Sequence, residues 1–376
     1  MSWNQAKNLL CIRLDTIGDV LMTTPAIRAL KESVPDRRIT LLTSSAGAAI
    51  APFVPELNGT IVYDSPWLKA TAPRINPRPE YDMIDQLRDQ QFDAAVIFTV
   101  YSQNPLPSAF VCYMAEIPLR LAHCHENPYQ LLTDWIKDPE PDAGIRHEVQ
   151  RQLDLVAQIG SISKNQQLSL QVKAPDRIRV LNLLEPLKLG DRWIVMHTGA
   201  TAESRRYPPE SFAVVADRLA LEYGFSIVFT GTTLEQDIVA QIQSKMSARS
   251  ASADIPAKSH SLVCQLSLGE LAALIELAPI MISNNTGPVH IAAAVGTPTI
   301  DLYALTNPQH TPWQVPHRVL FQDVPCKYCY KSICPEGHHH CLRQLTPETV
   351  IAATCDLFDE TRSRSVQAAK SCITAS

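Results

Sequence analysis

The chain has 376 residues, 45% hydrophobic and 19% charged, which excludes disordered and fibrous classes and leaves room for two or three domains. A formal charge of -5 gives no blanket attraction to nucleic acid, and none is expected as a partner. Thirteen glycines stand against 28 prolines, where average usage gives about 26 and about 19. None of the thirteen forms G-x-G-x-x-G or G-x-x-x-x-G-K-[ST], so the standard dinucleotide fingerprint and the P-loop are absent. If the protein holds phosphates, it must then use isolated glycines at helix starts.

The apolar run Leu9 to Leu14 near the N-terminus is interrupted by Arg13, so neither a signal peptide nor an anchor is expected. Nor does any stretch approach the roughly 18 apolar residues of a membrane span. The expected compartment is the cytoplasm, with at most peripheral association at the inner face of the plasma membrane.

In chain order, strands are predicted at Asn8 to Leu14, Arg38 to Thr43, Thr60 to Tyr63 and Asp93 to Thr99, with helices at Val20 to Ser33 and Tyr81 to Gln90. The proline-rich, acidic segment Lys137 to Gly144 reads as a loop before a helix at His147 to Ile159. A second series has strands at Leu168 to Val172, Trp193 to His197, Ser226 to Thr230, Ile280 to Ser283 and Thr297 to Tyr303. Its helices are expected at Pro175 to Leu187, Pro209 to Tyr223, Leu234 to Met246, Leu268 to Leu277, Pro288 to Val295 and Pro347 to Phe358, with a disordered tail after Thr361. Two successive βα series indicate an α/β protein with two Rossmann-like domains and a ligand cleft facing the carboxyl ends of both sheets. The expected domains are 1–166 and 167–345, followed by a terminal segment 346–376.

Five constellations can carry chemistry. In Arg13-Leu14-Asp15-Thr16-Ile17-Gly18-Asp19-Val20 a strand turns through Gly18 into a helix opening at Asp19. Asp19 there reads either as an N-cap or as a general base for an attacking hydroxyl. In Met196-His197-Thr198-Gly199-Ala200, followed by Arg205-Arg206-Tyr207-Pro208, paired guanidinium groups suit a diphosphate, or simply solvate a surface. Around Phe229 to Glu235 the turn at Gly231 leads to Glu235, which reads as a ribose ligand or a first-turn acid. In Ser283-Asn284-Asn285-Thr286-Gly287-Pro288-Val289-His290 a strand meets a helix start, where Thr286 and Gly287 offer a hydroxyl and amides to phosphate oxygens. There Asn285 reads otherwise as a cap and His290 as a core histidine. Finally, Cys326, Cys329, Cys334 and Cys341 fall within sixteen residues with His338, His339 and His340. Structural zinc, a pair of disulfides or redox-sensitive thiols, and reduced packing cysteines are the alternatives. No two aspartates stand one residue apart, so a glycosyl transfer on a metal held by Asp-x-Asp is unsupported.

Together these segments resemble the heptosyltransferases of glycosyltransferase family 9, in the same order and at similar spacing over residues 8 to 355, including the Cys-Pro-Glu-Gly-His-His-His-Cys-Leu stretch. The resemblance implies the GT-B fold and an inverting, metal-independent transfer of a sugar, typically from ADP-heptose, onto a saccharide acceptor such as lipopolysaccharide core. It implies no cofactor for catalysis. Asp19 matches the family's catalytic carboxylate, with Asp15, Thr16 and Gly18 in the acceptor-side loop. Thr198, Gly199, Arg205, Arg206, Gly231, Glu235, Asn285, Thr286, Gly287 and His290 match its donor side. Arg205 stands where relatives commonly carry a lysine on the diphosphate, and Asn285 where most have aspartate. Tyr207 replaces a usual tryptophan, retaining an aromatic platform. The alternatives are a non-catalytic nucleotide-sugar-binding protein and an enzyme of the same family with a different donor.

Overall fold

A computed structural model describes residues 1–68, 71–253 and 258–374, with the side chains of 247–253 and 365–374 left out. The chain divides into two compact units, Met1–Gln171 and Val172–Ser376.

The first unit holds a sheet of β1 (Asn8–Ile12), β2 (Arg38–Thr43), β3 (Gly59–Val62), β4 (Ala94–Ile97), β5 (Leu119–Cys124) and β6 (Asp134–Lys137). The second holds β7 (Trp193–His197), β8 (Ser226–Thr230), β9 (Ser259–Ser261), β10 (Met281–Asn284), β11 (Thr299–Leu302) and β12 (His317–Leu320). Their orders are β3-β2-β1-β4-β5-β6 and β12-β11-β10-β7-β8-β9, and every pairing is parallel. Numbered within its own unit, and with the second read from its β9 end, each sheet has the doubly wound order 3-2-1-4-5-6. Such a sheet opens a crevice at the carboxyl ends of its two central strands, where successive connections leave toward opposite edges. The crevices therefore lie beyond β1 and β4 in the first unit and beyond β7 and β10 in the second.

The central strands are continuous apolar runs because helices cover both of their faces. β1 (NLLCI) and β4 (AAVI) are buried almost throughout, as are β7 (WIVMH) and β8 (SIVFT). One core gathers Leu10, Ile12, Ile97 and Leu87 in the first unit, and another gathers Ile194, Phe212, Phe229 and Ile282 in the second.

Several boundaries differ from expectation. The first helix starts three residues early, at Ile17, with Thr16 as its N-cap, so Asp19 occupies the third helical position rather than the cap. The segment 168–172 is no strand: Ser169 N donates to Thr24 Oγ1 and Gln171 N to the Phe53 carbonyl. These isolated ties hold it to the first unit without forming a ladder. β5 and β6 escape periodicity because Arg120 and His123 interrupt β5, yet both are buried. The Arg120 guanidinium is spent on the carbonyls of Ile117, Gln130 and Leu131. The acidic loop after Lys137 is a loop, but it is not solvated: Asp138 and Glu140 are buried against Arg151. The last helix runs from Pro347 to Thr374, past Thr361, where disorder was expected.

Candidate active site

Beyond β1 the backbone N–H of Arg13 donates to the Leu42 carbonyl, which carries the strand one residue past its ladder and buries the side chain completely. Its guanidinium meets three carboxylates: Asp15 at 2.9 Å, Asp19 at 3.2 Å and Glu148 at 2.6 Å. Burial opposes the charge on Arg13, but the three acids outweigh it and hold its pKa above the ordinary value. Asp19 uses its other oxygen, Oδ2, to accept from the Thr16 amide at 3.1 Å and the Thr16 hydroxyl at 2.8 Å. Capping the helix and standing at the crevice are thus one arrangement. Gly18 is buried in the same first turn.

Asp15 is pushed up to about 6, first by burial and then by the neighbouring Asp19 and Glu148 charges. Arg13 and the Gln103 amide, which donates to Asp15 Oδ1 at 2.7 Å, pull the other way. Asp15 and Gln103 line a cavity of about 280 Å³ within the first unit, with Trp67, Ser102, Asn104 and Ser108 on its wall. Glu148 and Gln103 escaped the sequence reading, since each lies at a spacing no local motif records, and Arg13 stood in the quoted motif without a role.

In the second unit His197 ends β7, its Nδ1 at 3.0 Å from Thr230 Oγ1, and burial pushes its pKa down to about 4. Thr198 follows, with its Oγ1 buried and without a hydrogen-bond partner. Asn284, at the end of β10, braces this turn: Nδ2 donates to the Thr198 carbonyl at 2.7 Å, and Oδ1 accepts from the Tyr207 amide at 3.0 Å. It thereby ties the histidine turn to the arginine loop, a function the sequence reading missed beside the more conspicuous Asn285.

Arg205 is half-buried and, among the described residues, makes no side-chain hydrogen bond or ion pair, although its charge lowers the pKa of Asp301. Arg206 is exposed and donates from Nε to the Ala200 carbonyl at 2.8 Å, so it shapes the loop. Tyr207 is no platform. It is buried in the core, edge-on to Phe212 at 5.2 Å, with its hydroxyl on the Leu345 carbonyl at 3.0 Å.

Glu235 is buried and caps its own turn, with Oε2 accepting from the Thr232 amide and hydroxyl at 2.7 Å each. A Cβ at Gly199 would stand 2.7 Å from Glu235 Cδ, and one at Gly231 would stand 2.7 Å from Glu235 Cβ. Both glycines therefore make room for Glu235. Thr286 is the extended N-cap of the helix Gly287–Val295, and its Oγ1 is also buried without a partner. His290 is buried one turn further on. Two orphan hydroxyls, a helix N-terminus and a free guanidinium form a donor-rich set suited to phosphate oxygens.

Cys326, Cys329, Cys334 and Cys341 are all thiols and line one small cavity with His338 and Ser204. No disulfide joins them, and among the described residues no three His, Cys, Asp or Glu side chains are arranged to hold a metal ion. The closest thiol to imidazole approach is 3.8 Å, from Cys326 to His338. The segment braces the arginine loop instead: Ser204 donates from N to the Ser332 carbonyl at 3.0 Å and from Oγ to the Lys331 carbonyl at 2.7 Å.

The family model of Glycosyltransferase family 9 (heptosyltransferase) matches residues 81–340. The chain belongs to this family. Family 9 relatives include lipooligosaccharide heptosyltransferase 2 of Haemophilus influenzae, 25% identical over 93% of this chain and 99% of that one. Lipopolysaccharide heptosyltransferase 2 of Escherichia coli is 24% identical over 91% and 96% of the two chains. In structure, the family 9 glycosyltransferase of Veillonella parvula superimposes with a TM-score of 0.74 at 21% identity, covering 96% of this chain and 99% of that one. The E. coli ADP-heptose heptosyltransferase II does so at 0.72 and 22%, covering 94% and 99%. The protein is thus a family 9 glycosyltransferase with the two Rossmann-like units of the GT-B fold. Among the described residues, no helix is long and apolar enough to cross a membrane.

Proposed function

We propose that the enzyme transfers heptose from ADP-heptose onto a hydroxyl of a lipid-linked or oligosaccharide acceptor, such as lipopolysaccharide core, with inversion at the anomeric carbon. The observation that carries this reading is the unpaired Arg205 guanidinium together with the orphan Thr198 and Thr286 hydroxyls at the second unit's crevice. They are the donors a leaving diphosphate needs when no metal neutralises it. The names of the curated relatives supply the sugar and the acceptor class.

In this mechanism Asp19 takes the proton of the acceptor hydroxyl while that oxygen bonds to the anomeric carbon from the face opposite the diphosphate. The bond to the diphosphate oxygen breaks, and its electron pair leaves on that oxygen, stabilised by Arg205, the Thr286 to Gly287 helix start and the Thr198 turn. Arg206 and Asn284 hold that loop, Glu235 accepts ribose hydroxyls, and Asn285 and His290 complete the donor wall. Arg13 orients Asp19 by its Oδ1. Asp15, Thr16 and Gly18 shape the acceptor side, and the reaction takes place in the cytoplasm or at the inner face of its membrane.

Asp19→Asn should lower kcat at least about a thousandfold, as removal of an essential base does. Donor affinity, followed by thermal shift with ADP-, GDP-, UDP- and dTDP-sugars, should stay within a few fold. Unchanged turnover would remove Asp19 from the chemistry. Donor binding without turnover across an acceptor panel would favour a non-catalytic nucleotide-sugar-binding protein.

A further inference from the structure

Asn285, just past the end of β10, has a carboxylate beside it. Asp301 belongs to the neighbouring strand β11, where it pairs in register with Ser283 of β10. It is fully buried, and its Oδ2 accepts from Asn285 Nδ2 at 2.9 Å. The other hydrogen of that amide goes to the His310 carbonyl at 2.9 Å. Both partners are acceptors, so only the NH2 end of Asn285 can face them, and the amide is locked in one orientation. Its Oδ1 is left as the atom available to a ligand, and that atom is an acceptor like a carboxylate oxygen.

Asp301 itself is held on one side only. Its Oδ1 is buried and has no hydrogen-bond partner. An acid in such a place costs stability unless it holds something in position. Asn285 is its hydrogen-bond partner, and the Arg205 charge, also on the proposed donor side, lowers its pKa. Burial pushes its pKa up to about 8, with Asn285 and then Arg205 drawing it back. Tyr303, two residues on, feels the Asp301 charge but turns its hydroxyl to the Asn307 carbonyl, and the Asn307 amide holds the His310 ring at 2.7 Å. Neither competes for the carboxylate.

We propose that Asp301 is a positioning residue for the sugar of the nucleotide-sugar donor: from the adjacent strand it fixes the Asn285 amide so that Oδ1 is presented to a sugar hydroxyl. This rests on the donor-site reading of the second unit. Asp301 acts through Asn285, without touching substrate.

The test moves the carboxylate. Affinity for a panel of nucleotide-sugars and for the bare nucleoside diphosphates is measured by calorimetry on the full chain, for wild type, Asp301→Ala, Asn285→Asp and the double variant Asn285→Asp/Asp301→Asn. Asp301→Ala should weaken nucleotide-sugar binding by up to about tenfold, the worth of one neutral hydrogen bond, and bare diphosphate binding by less than about threefold. Asn285→Asp should also weaken it, since two buried carboxylates then face each other. The double variant should recover part of that loss, because an amide at 301 can donate to a carboxylate at 285 while the His310 carbonyl stays without its donor. Should Asp301→Ala fail to fold, the last two variants decide alone. If wild type binds while all three variants match it, or the double variant is no better than Asn285→Asp, Asp301 is only structural. If wild type binds no nucleotide-sugar or nucleoside diphosphate at all, the donor-site reading falls and takes this inference with it.

Discussion

The two sheets have the same strand order and the same crevice, yet their chemistry is opposite. Beyond β1, three carboxylates crowd one buried guanidinium. Beyond β7 and β10 a set of donors stands without side-chain partners among the described residues: Arg205, the hydroxyls of Thr198 and Thr286, and the first amides of a helix. Topology fixes where each site opens, and a few loop residues decide what it accepts. A crevice rich in acids suits proton removal, and one rich in donors suits a leaving anion. The first pairs its charges with one another, whereas the second keeps its donors for a ligand.

The comparison breaks most sharply at Arg13. Arg13→Met leaves Asp15, Asp19 and Glu148 close together, without their common cation, and should cost about 3–5 kcal/mol of stability, as loss of one partner from a buried ion cluster does. Denaturant unfolding measures this. Removing the charge of Arg205, which among the described residues makes no side-chain hydrogen bond or ion pair, should leave stability within about 0.5 kcal/mol while weakening donor binding. Equal stability losses at the two sites would erase the distinction between a self-paired crevice and a waiting one.

The parts of this contrast differ in how far the sequence reveals them. The strands Arg38–Thr43, Trp193–His197 and Ser226–Thr230 stand at their predicted bounds because apolar β-rich runs between turns have few other readings. β5 does not, because its Arg120 and His123 look like a surface until the carbonyls that satisfy Arg120 are known. In the sites, residues next to a strand end are legible from order along the chain. Their partners from distant segments are not: Glu148 reaches Arg13 across 135 positions and Asp301 reaches Asn285 from another strand. Tyr207 reads as an aromatic wall in sequence and is core in the fold, because proximity to a motif carries no information on which way a side chain turns.

The glycines sharpen the comparison from the other side. Four of them, Gly18, Gly199, Gly231 and Gly287, follow strand ends, which suggests close approach of backbone to ligand. In the fold Gly199 and Gly231 are instead packed against Glu235, whose carboxylate is fastened to the Thr232 amide. Gly199→Ala should therefore displace Glu235 and cost about 2 kcal/mol by overpacking. In a Glu235→Ala background, the same substitution should cost less than about 0.5 kcal/mol, a coupling that a double-mutant cycle reads directly. Equal costs in both backgrounds would mean that Gly199 serves something other than Glu235.

The smallest expected effect concerns Asp15, an acid of the first crevice whose charge is opposed by burial. Its pKa rises from 3.8 to about 6 on folding, so the folded chain binds a proton more tightly than the unfolded one. That linkage makes stability greatest below the unfolded value and lowers it as pH climbs through about 6. Asp15→Asn removes the dependence while its amide oxygen can still accept from Gln103. The full shift corresponds to roughly 3 kcal/mol, and solvent reaching the side chain, 18% exposed, reduces this to about 1. The variant should match wild type near pH 4 and exceed it by about 1 kcal/mol at pH 7.5. A loss at pH 7.5 would show that the Asp15 to Arg13 ion pair outweighs the burial of the charge, and the first crevice would then be as well satisfied as its geometry allows.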